Sequence, residues 1–173
     1  MPQISQIRII GIGNPTRGDD AAGRLAAQIL SEMSLDAITI SACNGETASI
    51  LSCLEGADIA YLIDASVSGA RPGTIRRIDV SSAPLPDFPA TLSSHGFGLS
   101  EAIELARSLE ILPKKSIVYA IEGRSFELGG SVSAEVEAVV SQAASRVRDE
   151  IYSKDRSCTK PASSKTSFEK LSN

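Results

Sequence analysis

The run Ile7-Arg8-Ile9-Ile10-Gly11-Ile12 is apolar at nearly every position, so a strand formed from it has to be covered on both faces. Helical spacing follows at once, from Ala21 to Met33, with Leu25, Ile29 and Leu30 on one face. The same alternation continues. Ala37 to Ser41 reads as a second strand, Thr47 to Leu54 as a helix with Ile50, Leu51 and Leu54 inward, and Ile59 to Ile63 as a third strand ending at Asp64. After a turn through Gly69 and Pro72-Gly73, Thr74 to Val80 alternates as an extended strand. A proline-rich connection, Ala83 to Pro89, leads past Ser93-Ser94-His95-Gly96 to a helix over Leu99 to Leu109, stopped by Pro113. Ser116 to Ile121 is the last buried strand and Ser133 to Ser153 the last helix. This βαβ rhythm predicts an α/β fold: a three-layer sandwich with a mostly parallel twisted sheet covered by helices on both faces.

With 173 residues, 42% of them hydrophobic, the chain is long enough for one domain with a sizeable core, expected over residues 1–153. From about Lys154 the composition turns polar, rich in Ser, Thr and Lys without period, so 154–173 is expected to be a disordered tail. A net charge of −4 with scattered basic residues offers no footprint for nucleic acid or anionic membrane. No stretch approaches the roughly 20 apolar residues of a membrane span, and the N-terminus lacks a signal pattern, so a soluble, cytoplasmic protein is the expectation. Cys43, Cys53 and Cys158 form no C-x-x-C pair, which argues against a disulfide framework or a cysteine-ligated metal.

In open α/β sheets ligands gather at the carboxyl ends of the strands. Here Asp19-Asp20 follow the first strand, Asn44-Gly45-Glu46-Thr47 the second, Asp64 ends the third and Glu122-Gly123-Arg124 follow the last. All four segments are expected on one rim. Gly11-x-Gly13 after a strand suggests dinucleotide binding, but the fingerprint's third glycine is Thr16, and Asp19 and Asp20 would repel an anion where pyrophosphate should sit. No phosphate-binding G-x-x-x-x-G-K-[ST] loop occurs.

Adjacent aspartates raise each other's pKa unless a helix N-terminus, Arg17 or a metal ion compensates. Capping of the following helix accounts for one of them. Asp64 has an alternative use as an Asx-turn acceptor or cap for Ser66-Val67-Ser68-Gly69. His95, the single histidine, has many structural uses open to it, yet it lies in a loop entering a helix where a ring nitrogen could reach the rim. Two carboxylates and an imidazole make a reasonable ligand set for a divalent ion, with positions left open for water or another molecule's ligands.

Gly11-x-Gly13-Asn14-Pro15-x-Arg17-x-Asp19-Asp20-x-x-Gly23, Leu62-Ile63-Asp64-Ala65, Ser94-His95-Gly96, and Ala120-Ile121-Glu122-Gly123 followed by Leu128-Gly129-Gly130-x-Val132-Ser133-x-Glu135-Val136 together resemble the nickel-iron hydrogenase maturation proteases over about residues 7 to 150. Ala21, often glycine in that family, and Gly123, where proline is common, depart from the pattern without touching the acids or the histidine.

The resemblance implies an aspartyl-type endopeptidase of the cytoplasm that removes a C-terminal extension from the nickel-loaded precursor of a hydrogenase large subunit. Its partner is that precursor, and a monomer is expected. By motif, Asp20, Asp64 and His95 are the implied nickel contacts and catalytic residues, the nickel arriving with the substrate; no organic cofactor is implied. Asp19 would then cap or orient the helix start, and Asn44-Gly45-Glu46-Thr47 would hold substrate backbone. Hydrolysis by a water that a carboxylate or the metal activates is the simplest route. Two other readings stay open: a self-sufficient metal-dependent peptidase or amidase, and a non-catalytic chaperone that binds the precursor without shortening it.

Overall fold

The structure is a computed structural model, and it describes residues 5–86 and 96–153. Nine elements follow in chain order: β1 (Ile7–Ile12), α1 (Ala22–Glu32), β2 (Ile38–Cys43), α2 (Thr47–Leu54), β3 (Ile59–Ser66), β4 (Ile75–Asp79), α3 (Gly96–Ser108), β5 (Lys115–Glu122) and α4 (Ala134–Ser153). A single turn of 3-10 helix, Gly18–Ala21, precedes α1. The sheet order is β2-β1-β3-β5-β4. Four strands run parallel, and β4 pairs with β5 in the opposite direction.

The alternation of side chains along the central strands builds two cores. Ile9, Tyr61, Ile63, Ile117, Tyr119 and Ile121 point to the face covered by α1 and α4. Ile10, Ile12, Leu62 and Val118 point to the face covered by α2 and α3. Each large apolar side chain removed fully from water, such as Ile9, Ile10, Leu62 or Ile63, contributes about 2 kcal/mol. The three-layer sandwich expected from the sequence is therefore the fold, with β4 as the antiparallel edge of a mixed sheet.

At the end of the sheet away from the rim, Glu150 of α4 accepts hydrogen bonds from Arg77 of β4, at 2.7 and 2.8 Å, and from Tyr119 of β5 at 2.8 Å, and pairs with Lys115 at 2.8 Å. One carboxylate thus ties the last helix to two strands. Among the described residues no helix is long and apolar enough to cross a membrane.

Two boundaries differ from expectation for physical reasons. Pro113 does not stop α3. The helix ends at Ser108 in a left-handed turn at Glu110 (φ 57°), where Glu110 N–H bonds the Arg107 carbonyl at 3.1 Å and Ile111 N–H reaches back to the Ala106 carbonyl at 2.9 Å. Strand β3 also runs two residues beyond Asp64, because Asp64, Ala65 and Ser66 keep their register with Ala120, Ile121 and Glu122. The stretch 154–173 and the end of the proline-rich connection lie outside the described residues.

Candidate active site

Glycines seat the start of α1 directly on the sheet. A Cβ at Gly23 would lie 2.1 Å from the Ile63 carbonyl oxygen and 2.4 Å from that of Ile12, so no side chain fits there. Gly13 sits at φ 136°, with the Asp20 carbonyl where its Cβ would project. The Gly-x-Gly motif serves this close approach of helix to strands. The aspartates that follow are consequently carried inward, Asp19 to full burial and Asp20 to 2% exposure.

The two neighbours then part. Asp19 accepts hydrogen bonds from Arg124 N (2.6 Å), Ser125 N (3.0 Å), Ser133 N (2.6 Å) and Ser133 Oγ (2.9 Å). Burial pushes its carboxyl up, but these bonds outweigh burial and hold it below the ordinary aspartate value. Three backbone bonds reinforce the clamp: Asp19 N–H to Ser125 O, Gly18 N–H to Gly130 O and Gly129 N–H to Thr16 O. The expected capping of its own helix is not what Asp19 does. Neither the 3-10 turn nor α1 has a side-chain cap, and Asp19 instead binds the loop between β5 and α4. Asp20 accepts a hydrogen bond from Asn14 N at 2.9 Å.

Asp64 is only 5% exposed, and its Oδ1 accepts from the Ala65 N–H at 2.8 Å. Burial first, and the nearby charge of Asp20 second, push its carboxyl up to about 7. The Asx-turn use open to Asp64 is taken by another residue. Glu122 accepts from Ser68 N, Gly69 N, Ser66 Oγ and Ser68 Oγ at 2.7 to 2.9 Å and so holds the whole Ser66–Gly69 turn. Position on the rim marked Glu122 in the sequence, but only the partnership of two distant segments reveals its use.

Cys43, at the end of β2, stands in the same neighbourhood. Its carbonyl accepts from Gly13 N–H at 3.1 Å. Its thiol is pushed up to about 11, chiefly by burial, with the Asp64 charge among the further causes. A thiol that stays protonated is no nucleophile. Next along the rim, Asn44 Oδ1 accepts from Glu46 N–H at 3.2 Å, Gly45 turns at φ 85°, and Thr47 Oγ1 bonds the Gly98 carbonyl at 3.5 Å. The first turn of α3 is thereby packed on the 44–47 loop. Asn44 and Glu46 are exposed, so the loop presents polar groups beside the two acids.

The structure therefore brings together Asp20, Asp64 and the 44–47 loop. His95 lies outside the described residues. Among the described residues no cluster of three or more potential metal ligands occurs, and the donors that converge are the two carboxylates. What they offer is a pair of buried carboxyl groups, one of which titrates near neutrality, suited to a hard or borderline cation or to proton transfer with water.

The chain is thus an α/β sandwich with two buried acids at the carboxyl rim of its parallel strands. The chain belongs to the hydrogenase maturation protease family: the family model of that description matches residues 46–150. The chain is 25% identical over 141 residues to the hydrogenase expression/formation protein HupD of Thiocapsa roseopersicina, covering 80% of this chain and 64% of that relative's length. The fold is shared with the hydrogenase maturating endopeptidase HybD from E. coli, at a TM-score of 0.71 and 24% identity over 86% of this chain and 93% of that one. The [NiFe] hydrogenase maturation protease HycI from Thermococcus kodakarensis KOD1 superposes with a TM-score of 0.63 at 25% identity, covering 84% and 91%.

Proposed function

We propose that this chain is the endopeptidase that removes the C-terminal extension from the nickel-loaded precursor of a nickel-iron hydrogenase large subunit. The observation that carries the reading is the pairing of Asp20 and Asp64, buried and close enough for one to oppose the ionisation of the other, in a chain of this protease family. Such a pair is stabilised by a cation, and nickel held by the precursor is the cation the substrate would bring. Asp20 and Asp64 would supply oxygen ligands to it. His95 would add a nitrogen; it precedes by three residues Gly98, whose carbonyl accepts from Thr47 on the rim.

In this reading the metal belongs to the substrate and reports its maturity. The enzyme's own residues do the rest. Asp20 is oriented by the Asn14 N–H, and Asp64 by the Ala65 N–H. The polar 44–47 loop receives substrate backbone through Asn44, Gly45, Glu46 and Thr47. A carboxylate titrating near neutrality can take a proton from the attacking water and return it to the leaving amine. The enzyme works as a cytoplasmic monomer on a protein substrate.

The reading is tested with Asp20→Ala, Asp64→Ala and His95→Ala, each purified and incubated with nickel-loaded precursor. All three keep the circular dichroism of the folded chain and lose processing by at least about a hundredfold, the scale expected for a group acting in the transition state. Normal trimming by any of them removes that residue from the site.

A further inference from the structure

The two edges of the sheet are built differently. β4 carries Arg76, Arg77 and Asp79 within its five residues, the charged surface by which edge strands avoid pairing with other chains. β2, at the opposite edge, reads Ile38-Thr39-Ile40-Ser41-Ala42-Cys43, with no charge, proline or glycine. Its inner side is paired with β1 from Ile38 to Cys43, and among the described residues no strand lies on its outer side.

A groove of about 350 Å³ runs between β2 and α1, with Pro15, Arg24, Gln28, Ile40, Ser41 and Ala42 in its walls. It leads into the rim. Pro15 follows Asn14, whose N–H is bonded to Asp20, and β2 ends at Cys43, whose thiol feels the charge of Asp64. A strand edge left unguarded, and continuous with two buried acids, is what an extended peptide on its way to those acids requires. Main-chain hydrogen bonds to such an edge give affinity to backbone irrespective of sequence, and the groove receives alternate side chains. Arg24 would face a carboxylate carried by that peptide.

We infer that β2 is the docking edge for the substrate's C-terminal extension, which adds to the sheet as an outer strand running antiparallel to β2, away from the rim. The folded, metal-bearing body of the precursor is too bulky for this groove, so the segment beyond the scissile bond is the part that fits. β2 offers about 20 Å of edge, enough for six residues. This inference rests on the proposed function and adds where the extension is held.

Hydrogen exchange of residues 38–43 tests it, using the Asp64→Asn protein so that bound precursor is not consumed. Saturating nickel-loaded precursor should slow the β2 amides that point away from β1 by about tenfold or more, and a precursor truncated at the cleavage site should not. With Asp64 intact, Ala42→Lys should raise KM for the precursor about tenfold with kcat within about twofold, and the small Ala42→Ser should leave KM near the wild-type value. Unchanged β2 exchange with precursor bound, or equal slowing by the truncated precursor, overturns the inference. So does slow exchange, in the free protein, of the β2 amides that point away from β1, which would place this chain's own 154–173 segment there, or slowing that rises with protein concentration alone, which would place a second copy there. If wild-type protein does not shorten the precursor, the proposed function fails and takes this inference with it; if it does and β2 stays unaffected, the inference falls alone.

Discussion

Asp20 opposes the ionisation of Asp64. Burial of Asp64 comes first and this like charge second, and against the lowering effect of the Ala65 N–H they raise its carboxyl to about 7. A few ångströms of chain away, Asp19 is held low by four hydrogen bonds. Two adjacent residues thus carry opposite tasks: one fastens the β5–α4 loop, the other keeps a partner acid poised for a positive charge.

The poise should be measurable as lost stability. Asp64 binds its proton more tightly folded, near 7, than unfolded, near 3.8, so in this window the folded state holds more protons and stability falls as pH rises. The penalty is complete above about pH 7 and absent below about pH 4. Asp64→Asn, which keeps an oxygen for the Ala65 N–H, should therefore be more stable than wild type by roughly 1–3 kcal/mol at pH 8, with the gain shrinking towards zero near pH 3.5. Urea denaturation at the two pH values reads this, and an equal gain at both would show that Asp64 is not the titrating group.

Activity should move the opposite way. If Asp64 works ionised, kcat/KM for nickel-loaded precursor rises with pH through about 7, the free enzyme's value for this group. A steady-state profile between pH 5.5 and 8.5 tests it. A flat profile across that range contradicts an ionised Asp64.

Asp19 should behave as a structural clamp. Asp19→Ala leaves the N–H groups of Arg124, Ser125 and Ser133 without their acceptor and should lower stability by about 3–5 kcal/mol. Ser133→Ala removes a single hydroxyl bond and should cost about 1 kcal/mol. Thermal or urea unfolding of the two proteins gives the comparison; a loss below about 1 kcal/mol for Asp19→Ala would mean the clamp is dispensable.

Much of this architecture is legible in the residues. Runs such as Ile7–Ile12 and Ser116–Ile121 announce buried strands because both of their faces are apolar, and Thr47–Leu54 is a helix over the whole of its expected span. The rim is legible too, since chain order alone puts acids after β1 and within β3. What the residues do not carry is the choice between neighbours. Asp19 and Asp20 are the same side chain in adjacent positions, and only the return of Ser133, a segment remote in sequence, decides which of them is a clamp. Likewise Glu122 takes the turn that Asp64 could have capped, because β5 lies beside β3 in space. The end of α3 escaped for a local reason: Glu110 adopts a left-handed conformation that its side chain does not advertise.

Intact-mass measurement of the nickel-loaded and nickel-free precursor, before and after incubation with wild-type and Asp64→Asn protein, tests the central claim most directly. The wild-type protein should shorten the nickel-loaded precursor from its C-terminus and leave the nickel-free form whole, while Asp64→Asn should leave both whole. A nickel-free precursor shortened equally well, or a nickel-loaded precursor that keeps its full mass with wild-type protein, would contradict it.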